Sequence, residues 1–101
     1  MNLNDLLYSA LAAHNPVRVT DGSTTQVRSK NAVLHRIVVG APPAAQRTIT
    51  LRDGLLDTSP ILLTVIIPTA PPPSIEIGVE FSAGIRAIFS GACDVTFVAS
   101  D

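Results

Sequence analysis

From Pro16 onward no apolar run keeps a helical period; the chain is cut into short β-type runs by Gly, Pro and two Asp-Gly dipeptides. Runs this short, rich in Val, Ile, Thr and Phe and bounded by turn residues, predict strands. Strands that each bury one face must stack in layers or close on themselves. The expected fold class is therefore all-β: an antiparallel β-sandwich, jelly-roll-like, of about seven or eight strands. At 101 residues the chain suits one such core and has no room for a second.

The runs can be read one by one. Val17 to Thr20 meets Asp21-Gly22, a hairpin-type turn dipeptide, so Thr24 to Arg28 is the expected return strand. Ala32 to Val39 carries Val33, His35, Ile37 and Val39 on one face and Leu34, Arg36 and Val38 on the other, which predicts a central strand covered on both sides. Gly40 to Ala45 is a loop, because its paired prolines remove ladder donors. Arg47 to Arg52 alternates, with Ile49 and Leu51 inward and Thr48, Thr50 and Arg52 outward, and Asp53-Gly54 ends it. Ile61 to Ile67, aliphatic except for Thr64 and closed by Pro60 and Pro68, reads as a buried strand. Thr69 to Pro73 is a stiff extended connection. Ile75 to Phe81, Ile85 to Phe89 and Asp94 to Ala99 complete the set, and Phe81, Phe89 and Phe97 are expected in one core layer.

The N-terminus has a different pattern. Leu3, Leu7 and Leu11 recur every four residues, so Asn4 to Ala13 predicts a short amphipathic helix, capped by Asn4 or Asp5 and stopped at His14-Asn15-Pro16. The chain thus divides into a helical arm, 1–15, and a β-sandwich domain, 16–101. A helix of this length needs something to dock on. Leu3, Leu7 and Leu11 either cover an open end of their own sandwich or seat on a neighbouring subunit.

Composition bears on what the outside is for. Charged residues make up 15% of the chain, against about 25% in an average globular protein, while 47% is apolar. Part of the surface is therefore expected to be apolar and covered by other molecules. The net charge of −1 is far from the basic balance of a nucleic-acid binder, so no nucleic-acid partner is expected. Ile61 to Ile67 is too short to span a bilayer, and no membrane partner is expected. Arg18, Arg28, Lys30, Arg47 and Arg52 cluster in the first half; on a shared face they would pair with an acidic partner surface, and otherwise they form a solvated face.

Chemistry-bearing residues are few. His14, His35 and the single Cys93 have no acidic cluster beside them in the chain, so neither a metal nor any other cofactor is expected. Cys93 reads as a small apolar filler and His35 as a half-buried histidine with a hydrogen-bond partner. Asp53-Gly54-Leu55-Leu56-Asp57 lacks the alternating oxygen ligands of a calcium loop and reads as a turn. An enzyme is the least supported class.

A family pattern assembles from Leu34-His35-Arg36-Ile37-Val38-Val39, then Thr48-Ile49-Thr50-Leu51-Arg52-Asp53-Gly54, then Phe81-Ser82-Ala83-Gly84-Ile85 and Asp94-Val95-Thr96-Phe97. Over residues 32–99 the chain resembles a group of small virion proteins of tailed bacteriophages. Thr69 to Pro73 departs from that pattern, standing where a glycine-rich connection is usual. The resemblance implies a β-sandwich subunit of capsid cement or decoration type, which stabilises the head by bridging the major capsid protein. It further implies self-association, a trimer before a dimer, and a place on the capsid exterior after a soluble stage in the host cytoplasm. A tail or baseplate subunit is the alternative within that class. Outside it stands a carbohydrate- or receptor-binding module, which would need exposed aromatic residues.

Overall fold

The computed structural model describes residues 16–100. In them the chain forms β1 (Val17–Val19), β2 (Thr25–Arg28), β3 (Ala32–Ala41), β4 (Arg47–Asp53), β5 (Ile61–Ile67), β6 (Ser74–Phe81), β7 (Ile85–Phe89) and β8 (Asp94–Ser100). All pairings are antiparallel, in two four-stranded sheets of order β1-β8-β3-β6 and β2-β7-β4-β5. The expected helix over Asn4 to Ala13, with Leu3, Leu7 and Leu11, lies outside the described residues.

One core joins the two sheets. Leu34, Ile37, Val95 and Phe97 of the first sheet and Ile49, Leu51, Ile67 and Ile85 of the second are all fully buried in the same cluster. Alternation alone accounts for β4, where Ile49 and Leu51 point in while Thr48, Thr50 and Arg52 are half-buried on the other side. The same holds for β8, whose Val95, Phe97 and Ala99 are buried. Phe81 and Phe97 are buried, and Phe89 meets Phe97 edge to face, centroids 6.0 Å apart at 68°. Each large aliphatic or aromatic side chain buried in this way contributes about 1.5–3 kcal/mol.

Three expectations are corrected. First, Asp21-Gly22 does not close a hairpin: β1 pairs with β8 and β2 with β7, so residues 20–24 form a corner between sheets. Asp21 shapes that corner by accepting from both the Ser23 amide and the Ser23 hydroxyl. Second, β3 is central in its sheet, but the described residues cover only one of its faces, and strict alternation misassigns those faces. The register shifts between Leu34 and Arg36 against both neighbours: against β8 His35 is the extra residue, whereas against β6 the extra residue lies on β6, in the Ile77-Gly78 stretch opposite His35. Leu34 and Ile37, three apart, therefore both point into the core, and Val38 is left 37% exposed. Third, among the described residues β5 is not a buried strand: its only neighbour there is β4, and only Val65 and Ile67 of its seven residues are buried.

Aspartates hold several of the turns. The Asp53 carboxylate accepts from the Ala83 amide at 2.7 Å and from the Ser82 hydroxyl at 2.8 Å, fixing the β6–β7 turn. Those bonds, the Ala83 amide foremost, hold its pKa below the ordinary carboxylate value. Asp21 is lowered by the Ser23 amide, and Asp94 by its hydrogen bond from Arg18. A carboxylate whose folded pKa is depressed contributes stability that is fully present above the unfolded value, about 3.9, and disappears as pH falls through the folded value. The unfolding midpoint is therefore expected to be flat above about pH 5 and to drop below about pH 4. Thermal melts followed by circular dichroism across that range check this, and Asp53→Asn should make the acid drop shallower.

Candidate docking surface

Five of the six large apolar side chains left exposed among the described residues fall on the β4–β5 hairpin: Leu55 (51%), Leu56 (64%), Ile61 (55%), Leu62 (43%) and Ile66 (57%). Two local causes place them there. On β5 Leu63, Val65 and Ile67 face the core, so Thr64 and Ile66 face outward, and the register break that makes Leu62 an extra residue against β4 leaves Ile61 and Leu62 both outside. In the preceding loop Leu55 and Leu56 sit at the tip of a segment whose ends are tied by the Asp53 amide donating to the Pro60 carbonyl at 2.8 Å.

This loop is held firmly from its flanks. The Leu56 amide donates to Ser59 Oγ at 3.1 Å, and the Ser59 amide returns a bond to the Leu56 carbonyl at 3.0 Å. Arg52 Nη1 donates to the Ser59 carbonyl at 2.7 Å, and Arg86 Nε to Asp57 Oδ1 at 2.6 Å. Arg86 Nη1 also donates to Gln26 Oε1, while the Gln26 amide nitrogen donates to the Gly54 carbonyl, both at 3.0 Å. Two exposed leucines on a loop pinned at Gly54, Leu56, Asp57 and Ser59 lose little conformational freedom when a partner covers them. An apolar strip of this kind on a rigid support is suited to protein–protein contact.

The basic residues singled out in the sequence do not share a face. Arg18, on the first sheet, forms a two-point pair with Asp94 at 3.1 and 3.0 Å. Arg47, at the same end of the molecule on the second sheet, donates to the Ala92 carbonyl at 3.0 Å. Arg28 and Arg52 lie toward the opposite end, where Arg28 Nη2 reaches the Ala99 carbonyl at 2.8 Å and so ties β2 to β8 across the sheets. Lys30 is exposed in the β2–β3 turn. Arg28, Arg47 and Arg52 thus serve backbone carbonyls of their own chain. Leu3, Leu7 and Leu11 lie outside the described residues.

The remaining chemistry is modest. A shallow cleft of about 230 Å³ is lined by Thr20, Pro42, Pro43, Arg47, Cys93 and Asp94 among others. Cys93 is buried, and that burial pushes its thiol up despite the opposing charge of Arg47, a neighbour invisible in the linear sequence. The thiol therefore stays protonated at neutral pH and packs as a small apolar group. His35 Nε2 lies 2.6 Å from Ser100 Oγ, the half-buried, hydrogen-bonded state expected of it. Among the described residues no cluster of three or more His, Cys, Asp or Glu is placed to hold a metal ion. No protein-family model matches the chain, and no curated protein matches it significantly.

Proposed function

We propose that the protein is a structural subunit of a tailed-phage virion, of capsid cement or decoration type, which works by docking on the major capsid protein. The observation that carries this reading is the aliphatic strip of Leu55, Leu56, Ile61, Leu62 and Ile66 on the braced β4–β5 hairpin. A cement subunit needs a rigid surface complementary to its neighbours, repeated by symmetry so that modest contacts sum. The strand order β1-β8-β3-β6 against β2-β7-β4-β5 supports the finer reading of the fold as a double-Greek-key jelly roll, an architecture used by viral capsid domains and by lectins. The sequence resemblance over residues 32–99 selects the virion from these, an argument by analogy at the level of family. A sugar platform draws less support, since Phe81 and Phe97 are buried and Phe89 packs on Phe97. In this reading the protein is soluble in the host cytoplasm before assembly and sits on the capsid exterior afterwards, self-associated.

The test is to incubate the protein with purified capsids that lack it. Co-sedimentation with heads and a raised temperature of capsid disruption are expected. Leu55→Asp and Leu56→Asp should each weaken binding about tenfold or more, by removing a buried aliphatic group and burying a charge in its place. Failure of the unaltered protein to bind heads ends the cement reading, and binding to purified tails moves the protein to the tail.

A further inference from the structure

The loops at one end of the sandwich enclose the cleft of about 230 Å³, which the aliphatic strip does not use. The β3–β4 loop supplies Pro42, Pro43 and Ala44, the β7–β8 turn supplies Ala92 and Cys93, and Asp94 closes one side. Loops positioned by a rigid scaffold are where binding groups gather. The cleft lies at the Arg47 end of β4, whereas Leu55 and Leu56 follow its Asp53 end. Its floor is apolar, since Pro43 and Cys93 are both buried. Every residue that lines it lies within residues 16–100.

Of the charged groups on the elements around the cleft, all but one are matched within the chain. Asp94 is held by the two-point bond from Arg18, at 3.1 and 3.0 Å. Gly40 makes room for that carboxylate, because a Cβ built there would stand 2.6 Å from Asp94 Oδ2. Asp21, on the neighbouring corner, accepts from the Ser23 amide and hydroxyl. Arg47 is the exception. Its Nε donates to the Ala92 carbonyl at 3.0 Å, which anchors the guanidinium beside the β7–β8 turn, and its charge is felt at the Cys93 thiol on the floor. Among the described residues Arg47 Nη1 and Nη2 meet no acceptor and no carboxylate. A guanidinium whose two terminal nitrogens are open presents a planar fork that matches the two oxygens of a carboxylate.

We propose that this cleft is a binding subsite for a carboxylate on a short aliphatic stem, the side chain of a glutamate or aspartate in an acidic peptide segment. Arg47 takes the carboxylate end-on through Nη1 and Nη2, and Pro43, Ala44 and Cys93 receive the methylenes. Size sets the class of ligand. Sites that enclose a whole drug-sized molecule measure about 300–1,000 Å³. A cleft of about 230 Å³ therefore takes a side chain, and because it is shallow the rest of the ligand stays outside, as a peptide backbone does. The apolar floor favours a stemmed carboxylate over a phosphate, which has no stem to lay on it. The paired prolines and the bonds on Arg47 and Asp94 hold the site before a ligand arrives, so little ordering is lost on binding. This goes beyond the cement reading, since it uses none of the residues of the aliphatic strip.

The test is a titration of the full chain with the peptide acetyl-Gly-Glu-Gly-amide, followed by the backbone amide shifts in NMR. Saturable shifts at Ala44, Ala92, Cys93 and Asp94 are expected, with a dissociation constant on the order of 1 mM. The same peptide with Gln in place of Glu should bind about tenfold more weakly or worse. Arg47→Gln should weaken the Glu peptide by about tenfold or more, and Arg47→Lys, which keeps the charge but not the fork, should fall between. Ala44→Leu, at an exposed position of the loop, fills the cleft and should block binding while leaving Arg47 in place. Free propionate and inorganic phosphate distinguish the source of the anion, and both should bind more weakly than the Glu peptide. No saturable shift at these residues at about 50 mM peptide, equal binding of the Gln peptide, or unchanged affinity in Arg47→Gln would overturn the inference. Propionate or phosphate matching the Glu peptide would overturn its assignment to a peptide. No capsid enters these titrations, so their failure leaves the cement reading standing, and a protein that binds no heads still gives them an answer.

Discussion

Truncating Phe97 to alanine is expected to lower the unfolding free energy by about 3–5 kcal/mol, a large part of the total stability of a domain this size. Phe97 is fully buried, stands on β8 between β1 and β3, and makes the edge-to-face contact with Phe89. Its removal costs the transfer free energy of the ring, leaves a cavity beneath two sheets, and strips Phe89 of its partner. Urea denaturation at equilibrium measures the loss, and the contrast with two milder changes gives it meaning. Phe97→Leu fills most of the volume and should cost about 1–2 kcal/mol. Phe89→Ala, at a half-buried site, should fall well short of Phe97→Ala. A Phe97→Ala loss below about 1 kcal/mol would contradict the placement of that ring at the centre of the core.

The second large effect concerns the corner between β1 and β2. Gly22 has φ 71°, the left-handed region, and a Cβ built there would overlap the carbonyl group of Gly91 and crowd the Ala92 amide at 2.8 Å. Gly78 has nearly the same backbone, φ 65°, but open space where its Cβ would go. The two positions separate conformational cost from steric cost. Gly78→Ala should lose about 1 kcal/mol, the penalty of a side chain in that region alone, or about 4–8 °C in midpoint. Gly22→Ala should lose at least twice as much, since backbone rather than a flexible side chain must move. Equal losses at the two sites would show that the corner yields easily and that the approach of residues 20–24 to the β7–β8 turn does not constrain the fold.

The same distinction between local and distant causes runs through the whole molecule. Strand positions were legible because turn chemistry is local. Pro60 and Pro68 bracket β5 to the residue, Asp53-Gly54 closes β4, and the Thr48-Ile49-Thr50-Leu51 alternation orients it correctly. Alternation failed at His35, an extra residue against β8, because a bulge is a property of the pairing and leaves no mark in β3 alone. Asp21-Gly22 was read as a hairpin because that dipeptide suits one; which strand follows it in space depends on β7 and β8, far along the chain.

For the candidate site the same reasoning divides what was visible from what was not. The shortage of charge already implied a covered apolar surface, but it pointed to Leu3, Leu7, Leu11 and the proline loops as well as to partners. The strip on Leu55 to Ile66 escaped notice because an aliphatic run such as Ile61 to Ile67 looks the same whether neighbours flank it on both sides or on one. The arginines misled for a related reason: their carbonyl acceptors, Ala99 for Arg28, Ala92 for Arg47 and Ser59 for Arg52, are brought to them by the fold.

By itself, then, the sequence determined an all-β fold from Pro16 onward, the bounds of most strands and the residues that alternate into a core, since these follow from side-chain period and turn propensity within a few residues. The tertiary structure alone decided which strands share a sheet, that β5 stands at an open edge, and that its outward aliphatic residues meet no part of the described chain. Exposure is the absence of a neighbour, and neighbours in an antiparallel two-sheet fold are set by pairings between residues far apart in the chain.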